Sequence, residues 1–231
     1  MLATRIIPTI LSKNGNLVKG EGFKADRIVG NALQAARIHA MRSVDELVIF
    51  NLDDDAPDYD MIRKLTEGCF TPVTVGGGVK SVEDVQKLLK AGADKVCIGG
   101  MDWDLMREAS RKFGKQCVMV SIDYGEGGFI SGWEDGLSET IEDFGAGEIL
   151  LQSVERDGTM QGYDLELIKA VSEAVSIPVI ASGGCSGYED MYNAIEAGAS
   201  AVAVGALFLF TDATPKGAAE YLHERGVETR L

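Results

Sequence analysis

Two aspartates and a set of paired glycines carry the chemistry that this sequence offers. Asp123 closes the apolar run VMVSI, and Asp157 lies in SVERDGT, directly after another apolar run. Carboxylates facing each other across one opening can act as general acid and general base when their surroundings set their proton affinities apart. The glycines follow β-rich runs in two groups: Gly76, Gly77 and Gly78 with Gly99 and Gly100, and Gly183 and Gly184 with Gly205 and then Ala206. A backbone without Cβ can approach a bound group closely, and the free amides that open the following helix favour negative charge. Two such cradles suit a small molecule, phosphorylated or similarly anionic, with a charged group at each end. Any one of these glycines would also serve as a tight turn; it is their duplication that points to binding.

The remaining reactive side chains offer less. His39 and His223 fall in helical patterns away from strand ends, so neither histidine base catalysis nor a histidine metal site is expected. Asp53, Asp54, Asp55 and Asp58 form an acidic run that reads as a solvated loop, so no metal and no other cofactor is expected. Cys69, Cys97, Cys117 and Cys185 are widely spaced with no Cys-x-x-Cys pair and read as reduced, structural thiols.

The elements that must position these groups are eight short β-rich runs alternating with helical patterns. They are Arg5 to Leu11, Glu46 to Phe50, Pro72 to Val75, Lys95 to Ile98, Cys117 to Ile122, Glu148 to Gln152, Pro178 to Ala181 and Ala201 to Val204. Most are almost continuously apolar, as parallel strands covered on both faces are. Eightfold strand-helix alternation in 231 residues predicts an α/β protein, a single (β/α)8 TIM barrel spanning residues 1–231. The chain also repeats: Pro72 to Gly100 aligns without a gap on Pro178 to Ala206, matching Gly77 with Gly183, Gly78 with Gly184 and Gly99 with Gly205. Strands three and four thus correspond to strands seven and eight, and the barrel is expected to consist of two related halves. Its catalytic face is then the C-terminal end of the strands, where Asp123, Asp157 and both glycine groups fall.

A net charge of −14 argues against nucleic acid and anionic membranes as partners, because both are bound chiefly through positive potential. No apolar stretch approaches the ~20 residues that span a bilayer. The opening Met-Leu-Ala-Thr-Arg enters an apolar run without a leader pattern, so a cytoplasmic location is expected.

The segments RIIP, KNGNLVKG, DELV, TVGGG, GADKV, SID, GAGEILL, ERDGTMQGYDLELI, SIPVIASGG and ERGVETRL resemble the cyclase subunit of imidazole glycerol phosphate synthase, HisF, essentially end to end. The resemblance implies a HisH-like glutaminase docked below the barrel, whose ammonia crosses the barrel to a phosphorylated substrate at the top. By the same resemblance, Arg5, Glu46, Lys95 and Glu148 match the charged gate of the ammonia passage. Asp94 matches a position at the glutaminase interface, and Lys19 matches a lysine of the loop after strand one.

The top face departs from that pattern. Asp123 matches one of the family's two catalytic aspartates, but Leu11 stands where the other belongs, and leucine transfers no proton. Asn51 replaces an aspartate, Gly99 replaces a phosphate-holding asparagine, and the loop YGEGGFISGWEDG looks shortened. Loss of a general acid or base costs ~10²- to 10⁴-fold in rate. A WbuZ-type branch of the family, associated with glycosyl amidation in surface-polysaccharide biosynthesis, likewise has leucine there and resembles TEGCFTPVTVGGG here. The leading expectation is therefore a HisF-like barrel that passes ammonia to an ATP-dependent sugar amidotransferase. The alternatives are a true cyclase subunit of histidine biosynthesis and a non-catalytic scaffold for phosphorylated ligands.

Overall fold

Eight parallel strands close on themselves in the computed structural model, which describes residues 3–25, 27–42, 44–53, 57–67, 70–99, 102–125, 128–129 and 141–231. In chain order the strands are β1 (Arg5–Lys13), β2 (Asn16–Lys19), β3 (Arg27–Asn31), β4 (Leu47–Asn51), β5 (Val73–Gly76), β6 (Lys95–Ile98), β7 (Val118–Gly125), β8 (Gly128–Phe129), β9 (Glu148–Ser153), β10 (Val179–Ser182) and β11 (Ala201–Val204). The barrel runs β1-β4-β5-β6-β7-β9-β10-β11, and pairing of Arg5 with Ala201 through Pro8 with Val204 shuts it. The predicted (β/α)8 barrel is therefore present, with each of the eight expected runs forming one barrel strand.

Binary pattern explains both layers. On β1, Ile6 and Ile10 face the helices while Ile7 faces the barrel interior, and all three are essentially unexposed. Burying each such side chain contributes ~1.5–3 kcal/mol. The interior cluster, Ile7, Val48, Cys97, Met119, Leu150, Ile180, Ala201 and Ala203, plugs the middle of the barrel. The outer cluster packs the barrel against α1 (Ala32–Met41), α2 (Tyr59–Thr66), α3 (Val82–Ala91), α4 (Trp103–Phe113), α5 (Leu165–Ala174), α6 (Tyr188–Glu196), α7 (Ala206–Phe210) and α8 (Pro215–Glu224).

Helix starts are fixed by side chains that accept the otherwise unpaired first-turn amides. Asp58, Asp102 and Asp164 accept from the amides of Met61, Leu105 and Leu167 at 2.9, 3.0 and 3.1 Å. Ser81 accepts from the Asp84 amide, and the Asp84 carboxylate accepts from the Ser81 hydroxyl and the Lys80 amide. Among the described residues no helix is long and apolar enough to cross a membrane.

The hairpin β2–β3 after strand one is absent from the strand-helix pattern read in the sequence. It pairs antiparallel to the end of β1 and folds over the C-terminal rim, where the Gly22 amide donates to the Asp157 carbonyl at 2.9 Å.

Candidate functional site

The N-terminal ends of the strands carry a floor of alternating charge. Arg5 Nη1 lies 2.7 Å from Glu46 Oε2 and 3.0 Å from Glu148 Oε1, while Lys95 Nζ lies 3.0 Å from Glu46 Oε2 and 2.8 Å from Glu148 Oε2. Two cations and two anions from four strands thus form one closed ring. Thr74 Oγ1 adds a donated bond to Glu46 Oε1 at 2.6 Å. Burial by itself lowers the proton affinity of Arg5, but Glu148 and Glu46 outweigh it and hold the guanidinium above its ordinary range. Asp94 sits beside this floor and anchors β5, its carboxylate accepting from the Val73 amide at 2.8 Å. At the same end Met41, Val44, Leu65, Phe70 and Pro72 line a hollow of about 630 Å³, bordered by Arg37, Asp45 and Arg230. The Phe70 side chain there is 99% exposed.

The opposite end opens into a chamber of about 410 Å³. Leu11, Phe50, Leu52 and Val79 form an apolar wall, and Ser121, Asp123, Gln152 and Ser182 form a polar one. Thr9, Asp157 and Ser182 also line an adjoining niche of about 20 Å³ with Gly183, Gly184, Gly205 and Ala206. Chamber and niche share one mouth, so the strand ends bring Asp123 and Asp157 together with Gly77, Gly78, Gly99, Gly183, Gly184 and Gly205.

The two aspartates have different surroundings. Asp157 is engaged by Lys19, whose Nζ donates to Oδ1 and Oδ2 at 2.6 and 2.8 Å. This bond spans the mouth from the hairpin to the turn after β9. Asp123 accepts at Oδ1 from Ser121 Oγ at 3.0 Å and from Gln152 Nε2 at 3.1 Å. Gln152 also donates to Ser121 Oγ at 2.9 Å and accepts from Ser182 Oγ at 3.4 Å. Ser182, Gln152, Ser121 and Asp123 thereby form a relay across β10, β9 and β7. Sequence reasoning missed Gln152; its only signal was a polar side chain directly after the apolar run ILL.

The glycines are placed as turns that press on neighbouring backbone. Gly77 has φ +85°, and a Cβ there would be driven into the Asn51 carbonyl; Gly183 has φ +93°, and a Cβ added there would stand 2.5 Å from the Ser153 carbonyl oxygen. Gly78 and Gly99 line the chamber. Gly100 lies outside the described residues, as do Asp54, Asp55, Cys69 and most of YGEGGFISGWEDG. Asn51 is buried beneath the Gly77 turn, off the cavity wall, and its side-chain oxygen and nitrogen have no hydrogen-bond partner among the described residues.

His39 and His223 lie in α1 and α8, away from the mouth, and no group of acids, cysteines and histidines among the described residues has metal-binding geometry. Asp53 caps a turn by accepting from the Asn14 amide at 2.8 Å. Burial raises the thiol pKa of Cys97, and raises that of Cys185 to about 12, in keeping with structural cysteines.

A family model described as histidine biosynthesis protein matches residues 5–214. Two curated relatives align over all of this chain and all of their own length. One, from Campylobacter jejuni, is named "Putative imidazole glycerol phosphate synthase subunit hisF2" and is 40% identical over 247 residues. The other, from Dictyoglomus thermophilum, is named "Imidazole glycerol phosphate synthase subunit HisF" and is 38% identical over 252 residues.

Proposed function

The chain belongs to the histidine biosynthesis protein family, and from that premise we propose that it is the barrel subunit of a glutamine amidotransferase system. In this reading it receives ammonia from a HisH-like glutaminase at the floor and delivers it at the mouth. The end use is amidation of a surface-polysaccharide sugar by an ATP-dependent partner enzyme, as in the WbuZ-type branch, and the setting is cytoplasmic. The observation that carries the reading is a complete charge ring beneath a mouth that lacks the second acid. Arg5, Glu46, Lys95 and Glu148 are all engaged, whereas Leu11 contributes only apolar wall and Asp157 is bound by Lys19.

The division of labour follows from the surroundings of each group. Glutaminase docking suits the exposed Phe70 and Met41 beside Arg37 and Arg230, since aromatic, methionine and arginine side chains are enriched at interfaces. Above the ring, the apolar plug favours neutral ammonia over ammonium, because an unpaired charge there would be strongly disfavoured. At the mouth, Asp123 can accept a proton, with Gln152 and Ser121 fixing its carboxylate. Lys19, Gly183, Gly184, Gly205 and Ala206 would hold an anionic group of the acceptor, while Gly77, Gly78 and Gly99 border its remainder.

The second reading, a cyclase subunit of histidine biosynthesis, is favoured by full-length similarity to the protein named HisF and makes Asp123 and Asp157 its acid-base pair. Ammonia-dependent turnover of the histidine-pathway substrate separates the two. The wild type is expected to be silent and a Leu11→Asp variant to gain activity. Turnover by the wild type would instead establish the cyclase reading and remove the amidation one.

A further inference from the structure

Large apolar side chains that remain exposed are not scattered over this barrel; among the described residues they gather at its two ends. At the floor, Ile38 and Met41 lie in the last turn of α1, Phe70 precedes β5, and Leu231 follows Arg230. On the opposite rim, Phe23 and Ile28 lie on the hairpin, Leu165 starts α5 and Phe210 ends α7. A single exposed apolar residue needs no explanation, whereas a group gathered on one face marks a contact surface. The floor group accompanies the proposed glutaminase face; the rim group has no role in what has been derived so far.

The rim group is continuous with the mouth. Phe23 lines the chamber itself, and its φ of +62°, following +58° at Gly22, is a left-handed conformation that costs a bulky residue ~1–3 kcal/mol. Arg27 lies over the Phe210 ring, 4.9 Å from its centroid, so the hairpin and α7 together present an arginine–aromatic pair. Both residue types are enriched in interface cores. Beside this pair Ile28 is 66% exposed on β3, the strand at which the sheet order ends, and no described strand pairs with its outer edge. Proteins ordinarily blunt such an edge with charge or cover it.

We propose that the rim of Phe23, Arg27, Ile28, Leu165 and Phe210 docks the enzyme that consumes the ammonia, so that the chamber opens into that enzyme instead of into water. The inference rests on the reading of the chain as an ammonia conduit and adds where the consumer sits. In that reading neutral ammonia leaves the apolar plug into a chamber with an open mouth. Water there would dilute it and protonate most of it to ammonium, which has no lone pair with which to attack a carbonyl. Delivery of a nucleophile therefore requires a seal, and the exposed group lies on the rim of that opening. A second copy of this chain is a poorer occupant: it would bring the same net charge of −14, which repels, and it would consume nothing. The consumer should carry, around its own ammonia entrance, an apolar recess for Ile28 and Phe210.

The test combines the purified barrel with the glutaminase and the ATP-dependent sugar amidotransferase of the same organism. Amidation is measured with glutamine as nitrogen source, with and without glutamate dehydrogenase, 2-oxoglutarate and NADPH to trap free ammonia. The wild type should keep most of its rate in the trap. Ile28→Asp and Phe210→Ser change exposed positions and should fold. Each should bind the amidotransferase about tenfold more weakly, as when one strong interface contact is lost, and should surrender amidation to the trap. Both should still stimulate the glutaminase as the wild type does. Phe70→Ser, at the floor, should do the reverse, weakening glutaminase stimulation and leaving affinity for the amidotransferase unchanged. The inference is overturned if the trap abolishes wild-type amidation, if the rim substitutions leave that affinity unchanged, or if sedimentation shows the rim joining two copies of the barrel. In each of these cases untrapped amidation from glutamine leaves the conduit reading standing. Failure of glutamine to support amidation, while the amidotransferase accepts ammonium chloride, would remove the conduit reading and this inference with it.

Discussion

Neutralising Glu46 should destabilise the barrel far more than removing an ordinary surface charge. Its side chain is 2% exposed and receives Arg5, Lys95 and the Thr74 hydroxyl. Glu46→Gln keeps the shape and an acceptor for Thr74 but leaves two cations facing Glu148 alone. Removing one partner of a buried pair costs ~3–5 kcal/mol. Arg5 and Lys95 keep Glu148 and are 21% and 17% exposed, so the cost falls to the bottom of that range or somewhat below it. A loss of about 2–3 kcal/mol follows, which lowers Tm by roughly 4–12 °C in a chain of this size. Thermal and urea unfolding followed by circular dichroism measure it, and a Glu46→Gln/Lys95→Met double variant should recover part of the loss by restoring charge balance. Raising salt should change the single variant's deficit little, because partly buried pairs are poorly screened. A cost below ~0.5 kcal/mol, the range of surface substitutions, would refute the argument and reduce the ring to solvated strand ends.

Gly77→Ala should cost more than ~2 kcal/mol in unfolding free energy through backbone strain and the Asn51 carbonyl, whereas Gly99→Ala should stay within ~0.5 kcal/mol. His39 is buried with Nδ1 unpartnered among the described residues, and burial, aided by Arg42, lowers its pKa to about 4 from 6.5. Between those values the unfolded chain binds the proton and the folded one does not, so stability should fall as pH drops from about 6.5 towards 4. His39→Leu should remove that part of the pH dependence in unfolding titrations. In thiol labelling of the native protein, Cys97 and Cys185 should react only on unfolding, while half-buried Cys117 reacts first among these three.

The eight barrel strands were legible because strands covered on both faces must be apolar at consecutive positions, as in LVIF and AVAV. The hairpin was not legible: Asn16, Lys19, Arg27 and Asn31 give β2 and β3 polar ends, and their pairing is set by where β1 ends. Among site residues, Asp123 stood out as an acid after an apolar run. Gln152 did not, because its role comes from lying between Ser121 and Ser182 on neighbouring strands. Nor could the sequence announce that Lys19 meets Asp157, a contact between segments 138 residues apart. Similarity between the halves suggested equivalent cradles; that a Cβ on Gly205 would meet Thr9 and Lys19, while one on Gly99 would have no described residue within 4 Å, emerged only when β1 and the hairpin lay over one of them.

The charge ring also limits the symmetry that the repeat suggests. Arg5, Glu46 and Lys95 all come from the first four barrel strands, and Glu148 alone comes from the last four. A barrel assembled from two copies of the first half would gather surplus cations at its base, and one made from two copies of the second would gather only anions. The halves have therefore become complementary rather than interchangeable, so that neither could pair with its own duplicate without first losing or regaining charges at the floor.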